Sequence, residues 1–324
     1  MGSAVVAALI SIVGLATGPK PGVHVWTGTP THLGPARTVP GATSPVLSPE
    51  SKRVAYVLSG ELRVQPVGGG PVRTLTQVPG KDPTLAWSPD AARIAFPSEF
   101  SIVLLPVLGK GPVRLVRLPK AWEGSTLTAL QWSPDGSKLA FSRTSGDSKE
   151  NTLRNELDVI GVDGKGARTL HVNPAPYGAR MDPSWSPDSK RIAFNLDEFR
   201  LATVSVAGGA RVPLTNPPRG AVDSDAIWSP DGRWIAFARS PSRGTSDVWL
   251  VRPNGTGLRR LTITPIRPQG LAHIGSTPLA WSRDAAQLLA FRHDHFSIVD
   301  VATRRSRDLE RVGLQYSLLG ARWT

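Results

Sequence analysis

The chain has 324 residues, of which 40% are hydrophobic and 19% charged, an ordinary globular balance that excludes wholesale disorder. The absence of cysteine excludes a disulfide framework, a thiolate metal site and a cysteine nucleophile. A formal charge of +13 raises the question of an acidic partner, and 32 glycines with 30 prolines favour turns and short strands over long helices.

In chain order, the first element is the apolar run AVVAALISIVGLAT at residues 4–17. It has two readings. As a signal peptide it has the length of an apolar core and small residues near Ala16, although Met1-Gly2-Ser3 carries no positive charge. Its alternative is a β-strand drawn from Val5 to Ile12. The run falls short of the roughly 20 residues that span a bilayer, so no membrane span is expected. Next come two β-prone stretches, Gly22 to Gly28 and Ala36 to Pro40.

From there one formula recurs. VLSPESKRVAY runs from Val46, LAWSPDAARIAF from Leu85, LQWSPDGSKLAF from Leu130 and SWSPDSKRIAF from Ser184. IWSPDGRWIAF follows from Ile227 and LAWSRDAAQLLAF from Leu279, and the chain closes on Ala321-Arg322-Trp323-Thr324, the front half of another copy. Leu47, Trp87, Trp132, Trp185, Trp228, Trp281 and Trp323 are spaced 40, 45, 53, 43, 53 and 42 apart, the period of a four-stranded propeller blade.

Each copy reads as a hairpin. Proline presets the second position of a type I turn, Ser and Asp accept local backbone hydrogen bonds, and Gly takes the positive φ that returns the chain. After each hairpin comes a third strand, as in Ile102 to Leu105 or Val248 to Leu250. A fourth carries a basic signature, as in VRTLT at 72–76 or LRRLT at 258–262. An active-site role for SPDG is poor, since so many copies cannot all be one site.

These residues resemble the TolB-type, WD-like β-propeller repeat over about residues 20–324. The resemblance implies an all-β propeller of four-stranded blades, seven by preference and six as the alternative, closed by pairing of N- and C-terminal strands. Residues 19–324 form one propeller domain on this reading, with residues 1–18 as leader or strand. Seven first strands meet only six obvious second strands, which is what makes Val5 to Ile12 a candidate for the missing one. The compartment follows: periplasmic or extracellular with a leader, cytoplasmic without.

Strand order puts the SPDG turns on one face and the long, irregular loops on the other, where binding usually resides. Asp82, Asp182, Asp223 and Asp225, beside Arg180, are the candidates for a binding ring at the channel mouth. His293 and His295 flank Asp294 and are weak metal candidates; His171 and His273 fall on the same loop face. No cofactor is expected.

Arginines recur in the fourth strands (Arg73, Arg114, Arg117, Arg168, Arg211, Arg259, Arg260, Arg305 and Arg307), spreading the charge round a rim. That pattern gives non-specific attraction to polyanions and not a specific nucleic-acid site, which needs one stripe with stacking aromatics. No G-x-S-x-G, H-E-x-x-H, P-loop or G-x-G-x-x-G occurs. The resemblance also reaches the propellers of prolyl-oligopeptidase-like peptidases, but here the repeat runs to the last residue. The expected function is therefore a monomeric, non-catalytic protein-interaction scaffold. The alternative is a carbohydrate-active propeller of the oligosaccharide-lyase kind, or a ligand-binding propeller using His and Asp at the mouth. Deleting residues 1–18 separates the two readings of the first element: a thermal melt is unchanged for a leader and lowered for a strand.

Overall fold

The structure, a computed structural model, describes residues 6–11, 22–29, 32–33, 37–80, 82–109, 111–146, 153–173, 181–240, 247–262, 279–292, 295–311 and 320–323. Among them there are seven antiparallel sheets. The first contains β1 (Val6–Ser11), β2 (Gly22–Thr29), β3 (His32–Leu33) and β4 (Arg37–Pro40). The second is β5 (Thr43–Leu47), β6 (Arg53–Leu58), β7 (Glu61–Pro66) and β8 (Arg73–Gln77). The third is β9 (Ala86–Trp87), β10 (Arg93–Ser98), β11 (Ser101–Pro106) and β12 (Arg114–Arg117).

The fourth is β13 (Thr126–Trp132), β14 (Lys138–Ser145), β15 (Arg154–Gly161) and β16 (Arg168–Asn173). The fifth is β17 (Ser184–Trp185), β18 (Arg191–Asn195), β19 (Leu201–Ser205) and β20 (Val212–Pro213). The sixth is β21 (Val222–Trp228), β22 (Ile235–Ser240), β23 (Asp247–Val251) and β24 (Arg259–Arg260). The seventh is β25 (Leu279–Trp281), β26 (Gln287–Arg292), β27 (His295–Asp300) and β28 (Ser306–Arg311), and β29 (Gly320–Trp323) returns to the first.

The first sheet has the order β29-β1-β2-β3, with β4 on the other part of β2. β1 pairs with β29 on one side, Val6 opposite Trp323, and with β2 on the other, Val6 opposite Gly28. N- and C-terminal strands thus share a sheet, with β1 in the place of its second strand.

The chain forms two compact units. One comprises Met1–Asp82, Arg243–Val248 and Arg260–Thr324; the other comprises Pro83–Ser242 and Trp249–Arg259. In the first unit, Leu47, Val54, Tyr56 and Val67 form a buried cluster. In the second, the apolar core fills the spaces between successive sheets. Ile102, Leu104 and Val116 of the third sheet meet Leu139, Phe141 and Ile160 of the fourth. Leu157 and Val159 of the fourth then meet Ile192, Phe194 and Val204 of the fifth. Second and third strands are covered on both faces, hence near-continuous apolar runs such as Ile94-Ala95-Phe96 rather than strict alternation.

One polar device closes the inner hairpins. In the fourth sheet the Ser133 hydroxyl donates to Asp135 Oδ1 at 2.5 Å and accepts the Lys138 backbone N–H at 2.9 Å. Asp135 Oδ1 also accepts the Ser137 N–H at 2.9 Å. The same bonds recur from Ser88 with Asp90, Ser186 with Asp188, Ser229 with Asp231 and Ser282 with Asp284. All five serines are buried, so each hydroxyl must find partners, and the motif supplies them.

The turn residue with positive φ is glycine only at Gly136 and Gly232; Ala91, Ser189 and Ala285 adopt it at φ of 56, 59 and 57. Ser51 of the second sheet adopts it as well, at φ 53, with Glu50 in place of the aspartate, so the turn itself holds a backbone that L-residues otherwise avoid by about 1–2 kcal/mol. The expectation that glycine serves this position holds in two copies and not in the others.

The hydrogen bond from Ser88 holds the Asp90 carboxyl below its ordinary value, as those from Ser186 and Ser282 do for Asp188 and Asp284. A carboxyl with a lower pKa folded than unfolded adds stability above its unfolded pKa, about 3.9, and loses it as pH falls through the folded value. The Asp90→Asn/Asp188→Asn/Asp284→Asn variant is therefore expected to lose less stability than the parent between pH 4 and lower pH. Urea midpoints across that range check it, and parallel profiles would contradict it.

Candidate functional site at the second-to-third turns

Three first strands bend at a β-bulge. Register shifts occur between Thr43 and Val46 in β5, Thr128 and Gln131 in β13, and Ser224 and Ile227 in β21. Each bulge holds a residue with positive φ: Ser44, Ala129 and Asp225. A bulge lengthens the strand and reverses which side chains face in beyond it. The sequence reading places Asp223 and Asp225 on the loop face at the channel mouth; the structure places both within β21.

Asp223 is fully buried and lies directly opposite Arg239 of β22. Its two oxygens accept Arg239 Nε at 2.6 Å and a terminal guanidinium nitrogen at 2.7 Å. The guanidinium stacks over Trp249 at 4.5 Å and Phe237 at 5.6 Å. Asp223, expected at a binding surface, is instead enclosed by a charge partner and two aromatic rings. Asp225 is half-buried and accepts the Ser224 hydroxyl at 2.8 Å.

The fourth sheet carries a counterpart. Arg143 of β14 faces Glu156 of β15, bonded at 2.5 Å, and reaches Asp158 at 2.6 Å. Asp158 also accepts the Thr169 hydroxyl at 2.6 Å, and Trp122 lies 5.1 Å beneath the Arg143 guanidinium. Trp122, from a 3₁₀ turn at Lys120–Trp122, meets Phe141 edge-on at 5.8 Å. Burial pushes the Asp158 carboxyl up, against the opposing pull of Arg143 and Thr169.

The remaining candidates are dispersed. Asp82 is exposed before β9, and Asp182 is half-buried before β17. Arg180, His273 and His293 lie outside the described residues; of His295 only the backbone, in β27, is described. His171 is in β16, not in the loop that follows. Its Nε2 bonds the Leu196 carbonyl at 2.8 Å, its ring packs on Phe194 at 5.2 Å, and burial lowers its pKa. Among the described residues no three His, Asp or Glu side chains converge as a metal's ligands would. Of the fourth-strand arginines Arg259 is half-buried, and Arg73, Arg114, Arg117, Arg168, Arg211, Arg260, Arg305 and Arg307 are exposed.

At the end of the sheets where second strands turn into third strands, two phenylalanines stand in solvent. Phe100 is 52% exposed between β10 and β11, and Phe199 is 48% exposed between β18 and β19. Each follows an exposed glutamate, Glu99 or Glu198. The Phe199 turn is rigidly held. Asp197 accepts the N–H groups of Phe199 and Arg200 at 2.9 and 2.8 Å and Arg200 Nε at 2.7 Å. Phe199 and Phe100 also offer their carbonyls to the N–H groups of Asp223 at 3.0 Å and Leu118 at 3.1 Å. Burial acts to raise the Asp197 carboxyl pKa, but the bonds from Arg200 and the two N–H groups outweigh it and leave it low.

Sequence reasoning passed over these residues. Their signals are present: Phe-x-Arg after the hairpin in only two copies (141–143 and 237–239), and Glu-Phe at the same turn of two others (99–100 and 198–199).

No family model and no curated protein matches the sequence. Solved structures do match. An oligogalacturonate lyase from Vibrio parahaemolyticus is similar at a TM-score of 0.64 and 11% identity, over 97% of this chain and 88% of that one. TolB from Acinetobacter baumannii is similar at 0.57 and 18%, over 98% and 82%. The fold is a TolB-type β-propeller. A protein from Lactobacillus plantarum is similar over 99% of both chains, at a TM-score of 0.64 and 15% identity. At such identities the likeness is one of fold, in which four-stranded sheets like those described above are the blades.

Breaking a buried ion pair by removing one partner costs about 3–5 kcal/mol, whereas apolar replacement of both is often near neutral. Asp223→Ala is accordingly expected to cost about 3 kcal/mol or more, with a smaller loss in Asp223→Leu/Arg239→Met. Denaturant unfolding measures both; a neutral Asp223→Ala would contradict the structural role.

Proposed function

We propose that this propeller is a non-catalytic scaffold that takes a protein partner on the end of its blades carrying the second-to-third turns. The observation that carries the proposal is the pair Phe100 and Phe199. Large apolar side chains half in solvent, on turns fixed by Asp197 and by backbone bonds, give contact area without much ordering cost on binding. Glu99 and Glu198 beside them favour a partner with basic residues flanking an apolar anchor. The buried Arg143 and Arg239 clusters, in the fourth and sixth sheets, serve as internal structure and not as reacting groups, because their charges are spent on one another.

The lyase-like alternative draws on the fold likeness alone, and His171, a histidine of this end whose side chain is described, is held by Leu196 and Phe194. The exposed arginines of the fourth strands give a salt-sensitive background to any polyanion.

A pull-down with the whole protein as bait, at low and high salt, tests the proposal. A protein captured at both salts and lost from the Phe100→Ser/Phe199→Ser variant, with its melting temperature kept, is the expected result. Undiminished capture by that variant, or capture of polyanions alone and only at low salt, would refute it.

A further inference from the structure

At the opposite end of the sixth blade, around the turn that follows Ser229, the chain departs from its own repeat. Five residues after the clasp serine, the other copies carry Arg53, Arg93, Lys138, Arg191 and Gln287; here stands Trp234. The indole is half-buried, and the guanidinia of Arg252 and Arg259 lie over it at 5.4 and 4.8 Å. Arg191, from the fifth blade, stacks on Trp228 at 4.9 Å.

Around Trp234 opens a cleft of about 330 Å³, lined by Arg191, Arg233, Arg252 and Asn254 among others. That volume is at the small end of ligand sites. Among the described residues, none of the three lining guanidinia has a carboxylate at ion-pair distance. The nearby acids are occupied. Asp188 lies within the field of Arg191 and Lys190 but holds Ser186, and Asp231 holds Ser229 and the Arg233 backbone N–H.

The cleft is also built to keep its shape. Arg252 N–H donates to the Thr256 carbonyl at 2.9 Å, and Gly255 N–H returns to the Arg252 carbonyl at 2.8 Å. A Cβ on Gly257, at φ +67°, would come within 3.3 Å of Arg252 Nε, so glycine there makes room for the guanidinium. Asn254 Oδ1 is taken by the Thr256 N–H and hydroxyl, and its amide nitrogen remains as a donor. Cationic forks held against indoles present their N–H edges to a ligand with little ordering cost.

We propose that this cleft binds a phosphate monoester of a small polar molecule, with the phosphoryl oxygens held by Arg191, Arg233 and Arg252 and a hydroxyl of the remainder by Asn254. Three cations match a dianionic tetrahedral group with several acceptor oxygens better than a single carboxylate, and guanidinium forks bind such oxygens two at a time. The volume admits a sugar-sized remainder. This site is independent of the protein-binding surface proposed above: it lies at the other end of the blades and shares none of its residues.

Isothermal titration of the whole protein with glucose 6-phosphate, inorganic phosphate and acetate, at matched ionic strength, tests the proposal. Saturable one-site binding of glucose 6-phosphate, tighter than that of inorganic phosphate and without acetate binding, is expected. Arg191→Gln and Arg252→Gln, folded as judged by an unchanged unliganded melt, should each weaken it by about tenfold or more. Arg114→Gln, on an exposed fourth strand, should leave it unchanged. No saturable binding, acetate or inorganic phosphate bound as tightly as the ester, or equal loss from Arg114→Gln would overturn the proposal.

Discussion

The hydrogen bond from a buried serine hydroxyl to the aspartate two residues on is the interaction on which the blades depend. It fixes the turn between first and second strands, and its partner bond to the residue five positions on sets where the second strand starts. Ser88, Ser133, Ser186, Ser229 and Ser282 all make it. Once that turn is set, Ile-Ala-Phe falls between neighbouring sheets, and burial of Phe141, Phe194 and Phe237 contributes the apolar stabilisation. The turn also carries the local strain, holding Ala91, Ser189 and Ala285 in a backbone region that suits glycine.

Against so regular a background, departures from the repeat carry the information. Arg143 and Arg239 stand where other copies carry Leu58, Ser98, Leu196 and His293, and each brings a carboxylate into the interior. Phe100 and Phe199 place apolar rings in water where turns are normally polar. Trp234 replaces a basic residue and opens a cleft lined with arginines. A scaffold of near-identical blades gains different surfaces at its two ends by such single changes, with no alteration of the fold.

The fold was legible in the sequence because the clasp demands particular residue types at fixed spacing, and because tryptophan and Ile-Ala-Phe recur with it. The third strands followed from the repeat, whereas counting strands left residues 4–17 open between a leader and the strand that pairs with β29. The site was much less legible. A bulge at Asp225 changes which side chains face inwards, so Asp223 looked like a loop residue and proved to be buried. Charged residues are exposed by default, so nothing short of comparing copies would have marked Arg143 or Asp158 as interior. Phe100 and Phe199 escaped for the opposite reason, since aromatic residues are expected inside.

The central claim is that the repeated serine–aspartate clasp is structural and the departures from it are functional. Alanine substitution at Asp90, Asp135, Asp188, Asp231 and Asp284, one at a time, with denaturant unfolding of each, tests it most directly. The account predicts a loss of about 1 kcal/mol at every one of the five, the net worth of such hydrogen bonds, with capture of a protein partner retained. A substitution among the five that left stability intact and abolished capture would contradict it.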